Sequence, residues 1–568
     1  MVSYSGRFLY DGTVEIESNS ESCCFENDLY RMAFIGEIYS DSIICDVEHF
    51  LSAFVNRGMS LFAEIEGAYS CAIFDKHSDI LYLVRDKLGS KPLYYCNTER
   101  GTYFASDIKA ILAKSGIPKE IDRDALSQYF QLTYIPAPLT IYHGIQKVMP
   151  ASCITITNVG IKKQTKYWSL KDDSSKISVS NYESAKSELR ERVFQSAKSR
   201  LDDVVENGVL LSGGFDSTII LGVLSKLSNK PINTFTVASP DKKSDESNLA
   251  EIVAHKHHSN HHSLLLDWNA AREELPQILD NLDEPYADSS LIACYTISKH
   301  AKQYTNVLFT GDGGDEVFAG YNKYLVTYYM SLYNKLPKFI RSGVVSPLLE
   351  KMPAGSYKLL AAKKFIHCSQ MDELNQRIDL MLLGFKPEIL SALMIDGYVN
   401  SLDVVRACCN EWPELDSQAM AQFIDYNIVL EGDMLRKSYY ASNPLDITIR
   451  SPILDEHVVA YSFALPTQYK IHGKKRKIIF KDAFQDMIPE QLYHVPKHGF
   501  GVPMYYWLKE DLKQQLLKFA DRDFLEAQGL FRYDVIQSII NSHITGNENH
   551  FSALWAFYVF QSWYTANF

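Results

Sequence analysis

The stretch that decides the fold reads Val209-Leu210-Leu211-Ser212-Gly213-Gly214-Phe215-Asp216-Ser217-Thr218-Ile219-Ile220. Its apolar start predicts a buried parallel strand, the Ser-Gly-Gly corner predicts a tight loop, and Ser217 opens a predicted helix. Such a corner turns backbone N–H groups and the positive end of the helix dipole outward, where they bind phosphate oxygens. Because Asp216 is an anion, it predicts a magnesium ion between its carboxylate and the phosphates. The alternative interpretation is an ordinary Ser-Gly turn.

A second acidic corner reads Val307-Leu308-Phe309-Thr310-Gly311-Asp312-Gly313-Gly314-Asp315-Glu316. It again predicts a buried strand that runs into a loop. Parallel sheets bind ligands beyond the carboxyl ends of their strands, so the two corners are expected to face one nucleotide from neighbouring strands. We therefore predict that Asp216 and Asp315 share the metal.

Together, the Ser-Gly-Gly-x-Asp-Ser loop and the Gly-Asp-Gly-Gly-Asp-Glu loop resemble the asparagine synthetase family. The ATP pyrophosphatase fold of that family cleaves ATP to AMP and pyrophosphate. The resemblance implies ATP and Mg²⁺ as cofactors, with adenine contacts that come largely from backbone at strand ends. The ATP-binding positions that we predict are Leu211, Ser212, Gly213, Gly214, Asp216, Ser217, Val237, Thr310 and Gly311.

Two further residues are predicted to act in the chemistry. Asp312 matches an acidic position that lies beside the acyl-adenylate in asparagine synthetases, where an incoming amine loses a proton, so we assign it the role of a base. Lys477, in the segment Gly473–Phe484, falls on a lysine of the family and is expected to neutralise charge on the adenylate and the leaving pyrophosphate. Without the resemblance, a solvated basic helix face is the simpler interpretation of Lys474–Lys477.

Composition restricts the class of protein and its partners. A chain of 568 residues predicts two or more domains, and 46% hydrophobic with 22% charged residues is typical of globular proteins. The net charge of -12 argues against nucleic acid as the main partner. The start Met1–Arg7 does not resemble a signal peptide, and no run of 18 apolar residues is present, so we predict a cytoplasmic protein that is not inserted in a membrane. The sequence leaves the oligomeric state undecided between a monomer and a homodimer.

Short alternating strands and amphipathic helices in residues 1–170 predict an α+β domain with largely antiparallel sheets. Its segments Gly36–Tyr39, Glu66–Tyr69, Arg85–Tyr95 and Phe104–Ala110 are similar to the N-terminal-nucleophile glutaminase domain of asparagine synthetases. The strands are expected at residues 31–35, 69–75, 80–84 and 91–95.

The residues that hydrolyse glutamine in that domain are missing here. Aligning Gly6 with the family's Met-Cys-Gly-Ile-x-Gly start puts Val2 at the position of the nucleophilic cysteine, and valine cannot form a thioester. Ile35 replaces an asparagine of the glutamine site, and only the acidic position survives, as Asp46. We therefore predict a degenerate glutaminase domain. The competing hypothesis makes Cys23 or Cys24 a new nucleophile after internal cleavage.

The polar residues 171–181 show no helical period and are predicted to be a linker. From residue 182 to 568 we predict an ATP pyrophosphatase domain, in which strands and helices alternate as a doubly wound α/β sheet and a mainly helical part follows. Two more of its segments match the family closely, Asp283–Ser290 and Pro496–Pro503. The segment Lys437–Asp455 departs from the family, since Tyr439 and Tyr440 replace an Asp-Arg pair near the acyl-binding wall.

The sequence thus predicts an AMP-forming carbon–nitrogen ligase. A small-molecule or peptide carboxylate is activated as acyl-AMP, and ammonia from a separate source or an amine displaces AMP, in the tailoring of a natural product or a sugar acid. Three alternatives stay open: an intramolecular cyclase similar to lasso peptide cyclases or β-lactam synthetases, an asparagine synthetase that uses free ammonia, and a non-enzymatic nucleotide-binding scaffold.

Overall fold

The structure is a computed structural model that describes residues 2–39, 46–202, 204–238, 245–335, 337, 365, 368–369, 371–395, 397–398, 402–494 and 502–568.

Antiparallel strands build the first domain, as its alternating pattern predicts. The strands are β1 Tyr4–Leu9, β2 Val14–Ser18, β3 Cys24–Glu26, β4 Tyr30–Ile38, β5 Gly67–Asp75, β6 Ile80–Arg85, β7 Tyr94–Thr98, β8 Gly101–Ala105, β9 Ile145–Lys147, β10 Ser152–Thr157 and β11 Gly160–Lys166. They form one sheet in the order β2-β1-β8-β7-β9 and a second in the order β11-β10-β6-β5-β4-β3. The predicted strands at 31–35, 69–75 and 80–84 fall within β4, β5 and β6, whereas the one predicted at 91–95 begins only at Tyr94.

Three of the four helices described here for the first domain, α1, α3 and α4 below, start where an aspartate side chain caps their first turn. Asp46, Asp107 and Asp122 each accept a hydrogen bond from a backbone N–H of the helix that follows. The helices are α1 Val47–Arg57, α2 Ser60–Glu64, α3 Ile108–Ser115 and α4 Arg123–Leu132, with a 3₁₀ turn at Glu21–Cys23.

A five-stranded parallel sheet is the centre of the second domain and confirms the α/β prediction. Its strands are β12 Asn207–Leu210, β13 Asn233–Ala238, β14 Asn260–Leu265, β15 Val307–Phe309 and β16 Thr448–Arg450. They lie in the order β14-β13-β12-β15-β16, and every pair is parallel. The helices of this part are α6 Tyr182–Arg200, α7 Phe215–Leu227, α8 Ser247–Lys256, α9 Trp268–Glu273, α10 Leu275–Asp280, α11 Ser290–Ala301, α12 Gly314–Val317 and α13 Asn322–Asn334.

The rest of the second domain is mainly helical, as predicted. Its α-helices are α14 Glu373–Met381, α15 Pro387–Leu393, α16 Leu402–Glu411, α17 Ser417–Ile424, α18 Leu435–Ser442, α19 Glu456–Ala464, α20 Thr467–Lys470, α21 Ile478–Ala483, α22 Met504–Lys509, α23 Lys513–Phe519, α24 Arg522–Gln528, α25 Tyr533–Thr545 and α26 Phe551–Asn567. A π-helix, Asp425–Met434, joins α17 to α18. Short 3₁₀ turns lie at Asn443–Leu445, Pro452–Leu454, Gln485–Met487 and Glu490–Tyr493, and a two-residue hairpin pairs β17 Ile471–His472 with β18 Lys475–Arg476.

Part of the predicted linker, residues 171–181, is helical. A short helix, α5 Leu170–Ser175, begins before that segment, because the Ser169 hydroxyl caps it by accepting from Asp172 N–H. Leu170 is buried in a core cluster that includes residues of both domains. Residues 171–175 therefore continue a helix that begins at a buried residue, whereas residues 177–181 lack regular structure.

Buried ion pairs connect the first domain to the second. Arg85 donates to Glu431 at 2.7 Å, and Lys147 lies 2.5 Å from Glu284. The guanidinium of Arg450 binds both carboxylate oxygens of Glu37, at 2.6 and 2.9 Å. Such desolvated pairs tolerate little displacement, so they fix the orientation of the two domains. Within the described ranges, no helix combines the length and apolarity needed to cross a bilayer.

Candidate active site

The two acidic corners lie side by side because β12 and β15 are neighbours in the parallel sheet. Their carboxyl ends open on a cavity of about 530 Å³. Its lining includes most of the residues predicted to bind ATP, namely Leu211, Ser212, Asp216, Ser217, Val237, Thr310 and Gly311, together with Asp312 and Asp315. This is the crevice in which open parallel sheets hold their ligands.

The Ser-Gly-Gly loop turns sharply between β12 and α7. Gly213 adopts φ +72°, a conformation that favours glycine, and Gly214 is the N-terminal cap of α7. The hydroxyls of Ser212 and Ser217 lie 3.2 Å apart and line the cavity. The first turn of α7 thus presents a helix N-terminus and two hydroxyls to the cavity, which is a favourable arrangement for phosphate.

Asp216 and Asp315 meet at the ammonium group of Lys477. Lys477 Nζ lies 2.5 Å from Asp216 Oδ2 and 2.7 Å from Asp315 Oδ1, and all three side chains are largely buried. The second carboxylate oxygen of Asp216, Oδ1, is buried without a hydrogen-bond partner. A buried carboxylate oxygen that lacks a donor is suited to a metal ion, so the donor set fits Mg²⁺.

Glycines leave the space that these charged groups occupy. A Cβ atom on Gly311 or Gly314 would collide with Asp216, and one on Gly320 would collide with both Asp315 and the Lys477 side chain. Lys477 itself has φ +52°, which is uncommon for a non-glycine residue and is found preferentially at functional sites. The sequence analysis missed Gly320, since nothing in the sequence around it predicts a close approach from residue 477.

Asp312 lies at the same edge of the sheet, beside hydroxyl groups. Its Oδ2 accepts hydrogen bonds from Thr310 Oγ1 and from Ser438 Oγ, both at 3.0 Å. Thr310 Oγ1 also lies 2.8 Å from Ser451 Oγ. These bonds orient the Asp312 carboxylate in the wall of the cavity, within reach of groups bound there.

Lys437 lines another part of the wall and forms an ion pair with Asp288 behind it, and the sequence analysis did not assign this pair a role. Lys437 Nζ donates to Asp288 Oδ2 at 3.0 Å. Burial would raise the pKa of Asp288, but the ammonium and hydrogen bonds from Ser290 bring it below its ordinary value. Burial likewise lowers the pKa of Lys437, but Asp288 and the neighbouring Cys294 raise it above the ordinary value. Lys437 therefore carries a positive charge in the cavity.

Glu316 follows Asp315 and is almost completely buried. Burial, followed by the nearby Asp315 carboxylate, raises the pKa of Glu316 to about 7. The hydroxyl of Tyr321 donates to Glu316 Oε1 at 2.7 Å. Glu316 is thus a carboxyl group that titrates near neutral pH at the floor of the site.

Two of the strand ends predicted to contact adenine already use their N–H groups in the sheet. Leu211 N–H donates to Phe235 O at 2.9 Å, and Thr310 N–H donates to Arg450 O at 3.0 Å. Val237 is buried in the cavity wall. Contacts from Leu211 and Thr310 to a base therefore have to come from carbonyl or side-chain atoms.

The aromatic replacements in Lys437–Asp455 do not line the nucleotide cavity. The residues of this segment that line the cavity are Lys437, Ser438, Ala441 and Ile449. Tyr439 lines a separate space of about 70 Å³ between the domains, and Tyr440 is buried against Tyr286 at 5.6 Å between ring centroids. Both tyrosines lie in α18, and helical geometry turns their side chains away from the face that carries Lys437 and Ala441.

The residues predicted to mark the lost glutamine site are separated from the cavity. Val2 is 38% exposed, Ile35 is buried in the core of the first domain, and the Asp46 carboxylate caps α1 by accepting from His49 N–H. Burial raises the pKa of the Cys24 thiol, which keeps it protonated and poorly nucleophilic. In the segment Pro496–Pro503, residues 496–501 lie outside the described residues.

Comparison with protein families identifies the chain. The family described as asparagine synthase matches residues 188–565, and the glutamine amidotransferase domain matches residues 29–168. The chain belongs to the asparagine synthase family. It is a carbon–nitrogen ligase of that family. The two matched regions are separated by residues 169–187, which include α5 and the start of α6.

Curated relatives match most of the chain. Asparagine synthetase (glutamine-hydrolyzing) 1 of Bacillus subtilis is 25% identical over 98% of this chain and 88% of its own length. Asparagine synthetase (glutamine-hydrolyzing) 3 of the same organism is 24% identical over 87% of this chain and 81% of its own length. Amidase chyE of Penicillium rubens is 21% identical over 94% of this chain and 84% of its own length.

Solved structures give weaker matches to this asparagine synthase family member. Glutamine phosphoribosylpyrophosphate amidotransferase from B. subtilis aligns with a TM-score of 0.20 and 9% identity, over 55% of this chain and 75% of its own. NMN synthetase from Francisella tularensis aligns with a TM-score of 0.20 and 14% identity, over 37% of this chain and 99% of its own.

Proposed function

We propose that the protein activates a carboxylic acid with magnesium ATP and joins it to a nitrogen nucleophile that does not come from glutamine bound to its own first domain. The observation that carries the proposal is the convergence of Asp216, Asp315 and Lys477 beside the Ser-Gly-Gly loop. A phosphate-binding helix N-terminus that faces two carboxylates and a lysine suits ATP chemistry at the α-phosphate.

In the first step, a carboxylate oxygen of the acid attacks the α-phosphorus of ATP, and the bond to the bridging oxygen of pyrophosphate breaks. The Ser212 and Ser217 hydroxyls and the N–H groups of the first turn of α7 hold the phosphates, while Val237 and Gly311 line the cavity near them. Asp216 and Asp315 would hold Mg²⁺, which neutralises charge on the leaving pyrophosphate. Lys477 stabilises the charge that develops on the transferred phosphoryl group.

In the second step, the nitrogen nucleophile attacks the acyl carbon and AMP leaves. The nucleophile loses a proton as the amide forms, and Asp312 is the carboxylate in the cavity wall that we assign to accept it. Its hydrogen bonds from Thr310 and Ser438 hold one oxygen, which orients the carboxylate. Lys437 provides a buried positive charge for the acid or the adenylate.

In this proposal the first domain packs against the second domain and does not hydrolyse glutamine. Val2 and Ile35 carry no group that attacks or polarises an amide, and Asp46 is engaged as a helix cap. The domain holds the second one through pairs such as Arg450 with Glu37, and Arg450 ends β16 in the sheet that carries the site. Ammonia or an amine in solution is therefore the expected nitrogen source.

Exchange of labelled pyrophosphate into ATP, screened over a panel of acids, tests the first step. We expect exchange with at least one acid and loss of that exchange in Asp216→Asn. Absence of exchange with every acid would favour the nucleotide-binding scaffold. Product formation with the active acid and ammonia, an amine or no added amine then separates amidation from intramolecular cyclisation. Aspartate in that panel tests the synthesis of asparagine from free ammonia.

Glutamine supplied alone tests the nitrogen source. We expect no glutamate to be released, and no labelling of the chain by a glutamine-analogue diazoketone, in the same preparation that uses ammonia or an amine. Glutaminase activity that disappears in Cys23→Ala or Cys24→Ala would instead establish a new nucleophile in the first domain.

A further inference from the structure

Two carboxylates and an imidazole converge where the first domain meets the second. Glu66 immediately precedes β5 in the first domain, and Glu456 and His457 open α19 in the second. One ligand atom from each of these three side chains lies within 4.8 Å of the other two. Among the residues that the structure describes, no other group of three or more histidine, cysteine, aspartate or glutamate side chains converges so closely. Because bonds from zinc to nitrogen and oxygen are about 2.0–2.2 Å long, small side-chain movements suffice for all three to bind one ion.

The imidazole faces a carboxylate that is also in contact with a second carboxyl group. His457 Nε2 lies 2.8 Å from Glu66 Oε1. The side chain of Glu66 is in addition hydrogen-bonded to the carboxyl group of Asp455. Two carboxyl groups hydrogen-bond to each other only if a proton lies between them. Glu66 therefore occupies a position, between a carboxyl group and an imidazole, that a cation stabilises.

Neighbouring charged groups hold the three donors in place. Lys87 pairs with Oε1 of Glu456, which leaves Oε2 of that carboxylate for a metal ion. Asp455 accepts from His457 N–H at 2.9 Å and from Arg200 at 2.8 Å, so it fixes the first turn of α19. That turn carries both donors of the second domain. Metal sites commonly use such outer partners to orient their ligands.

A cleft between the first domain and α6 gives a metal ion access to these donors. Glu66 and His457 line the cleft, which has a volume of about 540 Å³, and the His457 side chain is 62% exposed. The excess of negative charge in the cleft attracts cations. It shares no lining residue with the nucleotide cavity, so it is separate from the magnesium site proposed there. The lining has four carboxylates and one guanidinium, which belong to Glu66, Glu188, Glu191, Asp455 and Arg192.

We propose that Glu66, Glu456 and His457 bind a divalent transition-metal ion of the Zn²⁺ type, which links the two domains. An imidazole with two carboxylates suits Zn²⁺ better than Mg²⁺ or Ca²⁺, because these two ions prefer oxygen ligands throughout. Three protein ligands leave a fourth position for water on the side of the cleft. The site does not depend on the proposed ligase activity, since none of the three residues lines the nucleotide cavity.

Titration of the metal-free full chain with Zn²⁺ and with Co²⁺ tests this site. We expect saturable binding of Zn²⁺ and a rise in the midpoint of thermal unfolding, because a ligand that binds only the folded chain stabilises it. Co²⁺ in a four-coordinate site gives intense visible absorption bands. Zn²⁺ is expected to displace Co²⁺ and abolish these bands, whereas an excess of Mg²⁺ is expected to leave them unchanged.

The variants remove one donor at a time. His457→Gln changes an exposed side chain, and Glu66→Gln removes the negative charge of the donor in the first domain. Each is expected to weaken Zn²⁺ at least about tenfold and to abolish the Co²⁺ bands, since loss of an outer partner alone commonly costs 10–100-fold. His494→Gln is the matched control, because His494 forms an exposed pair with Glu490 at 3.2 Å and belongs to no group of three donors among the described residues. In Asp216→Asn, which alters the nucleotide cavity, the Co²⁺ bands are expected to persist.

Three results would each overturn the proposal. The first is the absence of saturable Zn²⁺ binding to the unaltered chain. The second is loss of the Co²⁺ bands in Asp216→Asn but not in His457→Gln, which would place the ion in the nucleotide cavity. The third is equal Zn²⁺ affinity in His457→Gln, Glu66→Gln and His494→Gln, which would show that His457 and Glu66 form only an ion pair.

Discussion

Asp216 and Asp315, 99 positions apart in the chain, bind one and the same ammonium group, at 2.5 and 2.7 Å from Lys477 Nζ. They do so because β12 and β15 are neighbours and because Gly320 leaves room for the lysine side chain. Two buried carboxylates this close repel each other unless a cation lies between them. Lys477 is that cation in the structure. Because its ammonium group lies between the two carboxylates, the affinity of the pair for a divalent metal ion is expected to depend on it.

Lys477→Met should convert this pair into a stronger metal site. Removing the ammonium leaves two buried carboxylates without a cation, so the free energy of unfolding is expected to fall by about 3–5 kcal/mol in the absence of divalent ions. Mn²⁺ should restore stability and bind more tightly than to the unaltered chain, as measured by thermal unfolding and electron paramagnetic resonance. Pyrophosphate exchange should fall at least about 100-fold. Lys481→Met, on the next turn, is the control, and equal Mn²⁺ affinity in both variants would contradict this account.

Gly320→Ala should damage the site without unfolding the domain. The added methyl group would meet the Asp315 carboxylate and the Lys477 side chain, so both must move. We expect pyrophosphate exchange to fall at least about tenfold, because small displacements of charged groups reduce catalysis strongly. Gly473→Ala is the control, since its Cβ would meet open space although its φ of +58° makes the substitution strained. If Gly473→Ala lost as much exchange, the loss in Gly320→Ala could not be assigned to its contacts with Asp315 and Lys477.

The site could be predicted from sequence wherever it depends on a local strand, loop and helix. The corners at Ser212 and Thr310 are each formed by one continuous stretch of sequence, and the resemblance to the family predicts that Asp216, Asp315 and Lys477 belong to one site. Asp312 and Lys477 were assigned roles on that resemblance alone. The contacts of Lys477 with Asp216 and Asp315 support the proposal, and the roles of Asp312 and Lys477 stay predictions until the variants are measured.

Long-range packing explains what the sequence analysis missed. β16, Thr448–Arg450, is only three residues long and lies 139 positions after β15, so its membership of the sheet is fixed by partners that no local pattern reveals. The short helix α5 depends on a single cap, Ser169, and on burial of Leu170. Tyr439 and Tyr440 do not line the nucleotide cavity, because the direction of α18 decides which of its residues face that cavity.

Asp312→Asn should separate the two chemical steps. Asparagine keeps an oxygen for the Thr310 and Ser438 hydroxyls but is a poor proton acceptor. Acyl-AMP formation, measured by pyrophosphate exchange, is therefore expected within about threefold of normal, while amide formation falls by about 10²–10³-fold and regains part of its rate at higher pH. Ser438→Ala, which removes one hydrogen-bond donor but no base, is expected to reduce amide formation less than tenfold. Equal losses in both steps would contradict the role of a base and indicate a role in binding.

Glu316→Gln should flatten the dependence of stability on pH. The pKa of Glu316 is raised from 4.5 to about 7 by burial and by Asp315, so the folded chain binds one more proton than the unfolded chain between these values. Stability must then fall as the pH rises from about 4.5 to 7, and the full cost, on the order of 3 kcal/mol, is present above pH 7. Glutamine carries no charge to desolvate and still accepts from Tyr321, so the variant is expected to lose this decline and to be more stable at pH 8. Chemical unfolding at pH 5 and pH 8 without magnesium measures the difference, and Glu490→Gln at an exposed position is the control. An identical pH dependence in Glu316→Gln and the unaltered chain would show that Glu316 is ionised in the folded state at pH 5.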